Sequence, residues 1–250
     1  MSVLALQNLS VHRGHNTLLE NISLQLNAGE LLVIAGPNGA GKSTLLQHLA
    51  GVMPIEQGKL SIRQRNVSTW QAKEWAQHVS FLPQLSRLSF PLTVREVVQL
   101  GSLATELTHQ KLGELSEQAL KRWQLMEFAE RDVRRLSGGE QQRVQLARSW
   151  LQLQAEHCHI WLLDEPFSAL DLCYQKQCLE QIQILKQQGK AIVLIVHDLN
   201  FARHCADRVL LLQRGRMVSV GSAAEVLTAE RVSQTFSVDT YLEGNNLHWW

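Results

Sequence analysis

The sequence predicts an α/β fold with a mostly parallel core sheet, a small N-terminal antiparallel sheet and an inserted helical subdomain. Three observations carry this. Short apolar, β-branched runs alternate with longer amphipathic stretches along most of the chain. Two early segments instead alternate apolar with polar residues, and between about 85 and 135 the strand-like runs disappear. Taken in order, residues 4–11 and 22–26 read as the small sheet, because alternation gives a strand one apolar face. The runs 31–35, 79–82, 160–163, 191–196 and 209–212 lack a polar face and read as buried strands. Residues 94–100 and 112–128 carry apolar side chains at helical spacing and form the insertion. One further amphipathic helix is expected at 224–236, followed by a polar, mobile end, EGNNLHWW.

Composition narrows the function. A chain of 250 residues is long enough for a substantial core. Lys plus Arg number 24 and Asp plus Glu 23, so no broad positive field exists to hold a polyanion, and nucleic-acid binding is not expected. The longest strongly apolar runs are about a strand long, well short of the ~20 residues of a membrane-spanning helix. The first residues, MSVLALQNLSVHRG, lack the marks of a secretory signal. Cys158, Cys173, Cys178 and Cys205 form no C-x-x-C pair, which fits reduced thiols in a cytoplasm rather than a zinc site.

The chemistry begins at Gly36-Pro37-Asn38-Gly39-Ala40-Gly41-Lys42-Ser43, a G-x-x-x-x-G-K-[ST] match between an apolar run and the helical stretch that starts at Thr44. Glycines let backbone N–H groups turn towards phosphates, and the following helix presents its positive dipole end. Lys42 is then expected to reach the β and γ phosphates, and the Ser43 hydroxyl to ligate Mg²⁺. A second apolar run, 160–163, ends in Asp164 and Glu165. In this pattern Asp164 holds Mg²⁺ mainly through water, and Glu165 polarises the attacking water. Finally, Leu136-Ser137-Gly138-Gly139-Glu140-Gln141-Gln142-Arg143 places an N-cap serine and two glycines at a helix start, a second anion-binding surface. A head-to-tail homodimer would use both, closing each nucleotide between Lys42 of one chain and Ser137 of the other.

These motifs resemble the ATP-binding cassette (ABC) ATPase family from about Leu4 to Asp239, with LSGGE as its signature and the fold class as that of a P-loop NTPase cassette. The resemblance implies ATP and Mg²⁺ as ligands. It assigns Gln84 to the Q-loop, touching Mg²⁺ and the lytic water, the stretch 168–171 with Asp171 to the D-loop, and His197 to the γ-phosphate. It divides the single domain 1–250 into a nucleotide-binding core (1–84 and 136–222), a helical insertion (85–135) and a C-terminal helix and tail (223–250). One position departs: where the family has an aromatic residue near the end of the first strand, this chain has Arg13, whose guanidinium can stack on adenine instead.

A lone cassette resembles the motor of an importer: two separate transmembrane permease subunits, an indirect periplasmic solute-binding protein and a place on the cytoplasmic face of the inner membrane. The segment SFPLTVREVV (89–98) resembles ATPases of metal-chelate import, and WLLDEP with SALDL (161–166, 168–172) resembles those that import haem (hemin), siderophore and cobalamin import being alternatives. Leu85, Phe90 and Leu92 are expected to line the groove that takes the permease; the plainer reading is that they anchor the insertion. Two other classes compete. A soluble ABC ATPase without a permease would usually carry coiled coils or a second cassette, and a kinase or GTPase would need neither LSGGE nor His197. His157-Cys158-His159 reads as ordinary loop and strand, and Arg131, Arg134 and Arg135 as a solvated face.

Overall fold

Residues 2–84, 90–105 and 107–249 are described in the computed structural model, which divides into two units, Met1–Thr69 with Leu185–Trp250, and Trp70–Ile184. In the first unit, strands β1 (Ser2–Arg13) and β2 (Asn16–Asn27) pair antiparallel around a two-residue turn. Gly14 takes φ +61° in that turn, a conformation that costs glycine nothing. Both strands run beyond their predicted ends: most of the added residues are polar and exposed, which hides the alternation, although Val3 and Leu19 are buried. Strand β3 (Leu31–Ala35) is buried along its whole length, as a run with two apolar faces requires, and it delivers the phosphate-loop sequence to helix α1 (Lys42–Leu49). Strands β4 (Gln57–Ile62) and β5 (Arg65–Asn66) complete the antiparallel sheet, in the order β2-β1-β4-β5.

The second unit begins with α2 (Ala72–His78) and β6 (Val79–Leu82), then α3 (Val94–Gln99) and α4 (His109–Arg122). Helix α5 (Gly138–Leu153), strand β7 (Ile160–Asp164) and helix α6 (Leu172–Gln187) follow, and β6 pairs with β7 in parallel. Between β6 and α5 the described residues are helices and 3₁₀ turns with one isolated bridge. The helix predicted at 112–128 ends early for a local reason. Gln124 adopts φ +52° and the Leu125 amide donates back to the Leu120 carbonyl, 2.8 Å, which closes α4 in a left-handed cap. Trp123 and Trp150 are core residues.

The chain then returns to the first unit as β8 (Ala191–Ile195), α7 (Leu199–Cys205), β9 (Arg208–Gln213) and β10 (Arg216–Gly221). Strand β3 lies between β8 and β9, parallel to both, and β10 adds antiparallel to β9. The one helix expected at 224–236 is two, α8 (Ala223–Val226) and α9 (Ala229–Phe236), because Thr228 caps the second by accepting from the Arg231 amide. The expected mobile end is a hairpin of β11 (Thr240–Glu243) and β12 (Asn246–Trp249). It is held to α7. Asn200 donates to the Leu247 carbonyl (2.9 Å) and accepts from its amide (2.7 Å), while Arg203 and His204 bond Asn245 and Asn246.

Candidate functional site

In the first unit, the loop between β3 and α1 is shaped by close backbone approaches. A Cβ on Gly36 would lie 2.1 Å from the Leu212 carbonyl of β9, and one on Gly41, which caps α1 at φ +99°, 2.7 Å from Leu19. Only glycine fits either place. The Ala40 carbonyl accepts from the Gly215 amide (3.0 Å), so the β9–β10 turn braces the loop. Lys42 is buried, and its Nζ donates to the Gly36 and Pro37 carbonyls at 2.8 and 2.9 Å. The ammonium therefore curls over the loop that precedes it, at the start of a helix whose N–H groups face the same way. Asn38 and Gly39 form its exposed tip; Ser43 and Thr44 are half-buried in the first turn of α1. Arg13 is exposed at the β1–β2 turn, on the same hairpin whose Leu18 and Leu19 touch Gly41. His197 is exposed after β8, next to Asp198, which caps α7 by accepting from the Asn200 and Phe201 amides.

In the second unit, β7 ends in Asp164, 2 % exposed, and the chain turns at Glu165, which takes φ +49°. That is an uncommon conformation for a side-chain-bearing residue and a local strain. It is held by Ser168, whose amide and hydroxyl both donate to the Glu165 carbonyl. Gln84, just past β6, donates its Nε2 to Glu165 Oε2 at 3.0 Å, so the structure brings these two predicted residues together. Asp171 accepts from the Tyr174 amide at the start of α6.

The signature segment is a capping box. Ser137 Oγ accepts from the Glu140 amide, and Glu140 Oε2 accepts from the Ser137 amide and hydroxyl, both at 2.7 Å. Those hydrogen bonds, with the nearby charge of Arg143, hold the Glu140 carboxyl below its ordinary pKa. Gly138 is exposed with open space at its Cα; Gly139 packs against the Ala169 carbonyl. The neighbouring arginines are locally engaged: Arg134 pairs with Asp132, which it lowers to about 2, and Arg131 lies over the Phe128 ring.

Each unit offers hard oxygen donors of the kind Mg²⁺ prefers, the Ser43 hydroxyl in the first, and the Asp164 carboxylate and the Gln84 amide in the second. Among the described residues no group of three His, Cys, Asp or Glu forms a closed metal cage. Cys158 is buried, and the His157 carbonyl bonds His78. Among the described residues no helix is long and apolar enough to cross a membrane.

The fold with its phosphate loop defines a nucleotide-binding cassette. The ABC transporter family matches residues 19–168, and the chain belongs to that family. It is 40% identical over 236 residues to the hemin import ATP-binding protein HmuV of Vibrio parahaemolyticus serotype O3:K6, covering 94% of this chain and 90% of that protein. A solved inward-facing structure assigned to the metal-chelate type of ABC transporter is 26% identical, with TM-score 0.79 over 100% of this chain and 96% of the other. A dimeric ATP-binding cassette in a post-hydrolysis state, bound to ADP and Pi, is also 26% identical, with TM-score 0.78 over 88% and 98%.

The sequence places Gln142 and Arg143 in the signature segment without giving either a role. Both are buried, Gln142 bonding the Pro166 carbonyl and Arg143 the carbonyls of Trp123 and Gln124. The signal was available: two polar residues directly before the apolar pattern of a helix that is buried nearly all round.

Proposed function

We propose that this chain is the ATP-hydrolysing motor of an ABC importer that takes up hemin. It would work through two separate permease subunits at the cytoplasmic face of the inner membrane, served indirectly by a periplasmic solute-binding protein. The observation that carries the substrate is the 40% identity to a hemin import ATP-binding protein over nearly the whole chain. Likeness to a metal-chelate transporter keeps siderophore or cobalamin import as the second reading.

In this reading the 36–43 loop binds the ATP phosphates through its N–H groups, and Lys42 exchanges its two loop carbonyls for phosphate oxygens, stronger acceptors. Ser43, Asp164 and Gln84 would hold Mg²⁺, which would neutralise phosphate charge. Arg13 stacks on the adenine. Glu165, kept in place by its turn and by Gln84, accepts a proton from the attacking water; His197 steadies the γ-phosphate. Ser137, Gly138, Gly139 and Glu140 close on the nucleotide of a second copy, with Asp171 beside them. Domain boundaries follow the same reading: core at 1–84 and 136–222, insertion at 85–135, C-terminal part at 223–250.

The experiment compares wild type with Glu165→Gln by phosphate release and sizing, then complements hemin-dependent growth of a cell lacking its own hemin import ATPase. The variant is expected to trap an ATP-bound dimer and lose at least about 100-fold in turnover, within the range for general bases. A variant at the wild-type rate overturns the assignment of the base. Growth on siderophore or cobalamin but not hemin overturns the substrate.

A further inference from the structure

Gln142 stands one turn into α5, 1 % exposed, and its Nε2 donates to the Pro166 carbonyl at 3.0 Å. Pro166 directly follows Glu165, the residue with φ +49°. The same helix meets the other end of that loop at Gly139, where an added Cβ would lie 2.8 Å from the Ala169 carbonyl. The segment 165–169 is thus held at both ends by the first turns of α5, and internally by Ser168. Arg143, the next residue, fixes α5 on its other side: it bonds the Trp123 and Gln124 carbonyls and lies 4.0 Å from the Tyr174 ring centre. A buried side chain spanning from a signature helix to the carbonyl after a carboxylate constrains where that carboxylate sits.

We propose that Gln142 is a positioning residue for Glu165, tying the signature loop of a chain to the hydrolytic carboxylate of the same chain. The inference rests on the proposed function, in which Glu165 is the base. It has a consequence in the head-to-tail dimer. Each signature loop then faces the nucleotide held by the other chain, whereas Glu165 serves the nucleotide of its own, so Gln142 connects the two ATP sites. Docking of one nucleotide on Ser137 and Gly138 steadies α5, and through Gln142 the base of the second site.

The test uses the full chain with Gln142→Met, which keeps the volume and removes the donor, beside Gln142→Glu, which keeps the shape and cannot donate when ionised. Phosphate release across ATP concentrations, ATP-dependent dimerisation by sizing, and the thermal midpoint are measured, with Glu165→Gln as the reference. A misplaced base predicts a kcat lower by about tenfold or more, as small displacements of catalytic groups cause. The half-saturating ATP concentration is expected to stay within about twofold, and the dimer to accumulate with ATP as it does for Glu165→Gln. A merely structural role would lower the midpoint and the dimer together with the rate, and that outcome overturns the proposal, as does full turnover in a folded variant. If Glu165→Gln itself turns over normally, the base assignment falls and takes this inference with it; if only the Gln142 variants do, Glu165 stands and Gln142 has no part.

Discussion

At residue scale the signature loop holds a conflict of charges. The Glu140 carboxylate accepts from the Ser137 amide and hydroxyl at the N-terminus of α5, where the dipole favours a negative charge by about 0.3–1 kcal/mol. A phosphate arriving at Ser137 meets that same charge. Glu140→Gln keeps an acceptor for the cap and removes the repulsion, so ATP-dependent dimerisation, followed by sizing, is expected at a lower ATP concentration. The variant also changes acid stability. Glu140 has a folded pKa below its unfolded value of about 4.3, so its contribution is complete above that value and is lost as pH falls through the folded pKa. In urea unfolding the wild type is therefore expected to exceed Glu140→Gln at pH 7, and the difference to shrink as pH falls through the folded pKa. Ser137 was legible as an N-cap because that is a local pattern, whereas the answering bond from Glu140 was not read; nor was Gln142, since its partner Pro166 is distant in sequence and no local rule announces it.

At the scale of elements, legibility followed burial. Runs such as 31–35 and 191–196 were found within a residue of their ends because a strand covered on both faces admits few polar side chains. Strand β10 and the β11–β12 hairpin escaped because their residues are mostly exposed and their order comes from neighbours. The hairpin makes the clearest case. Two strands alone are marginal in water, and these are held by Asn200 and by burial of Leu247. Asn200→Ala removes both bonds to Leu247, at about 0.5–1.5 kcal/mol each. A fall of several degrees in thermal midpoint is expected, with faster hydrogen exchange confined to α7 and 240–249. An unchanged midpoint would mean that the hairpin is held by its other contacts.

At the scale of the whole molecule, the family was readable from the order and spacing of short motifs, while the surface offered to a partner was only partly so. Phe90 is 71 % exposed, as a docking residue should be. Leu92 is half-buried, and its carbonyl accepts from the Val133 amide, which gives it an anchoring part; Leu85 lies outside the described residues. Phe90→Asp is expected to abolish transport in the assembled importer while leaving basal ATP hydrolysis of the separate subunit within about twofold, as for surface substitutions distant from the chemistry. Equal loss of both would make Phe90 a structural residue. Sequence could name this residue from a family resemblance alone, because no spacing rule tells an exposed apolar side chain that binds from one that does not.

The placement of β3 carries a consequence for the order of folding. Leu31 pairs with Ile192 and Leu32 with Arg208, and the Leu31 amide donates to Asp207, so the strand that delivers the phosphate loop takes its neighbours from the last quarter of the chain. Contacts so remote in sequence are slow to form. During synthesis, the loop made first is therefore among the last parts to acquire its shape. Until β8 and β9 emerge from the ribosome, five apolar residues at 31–35 stand without their sheet, the kind of exposed segment that is prone to aggregate.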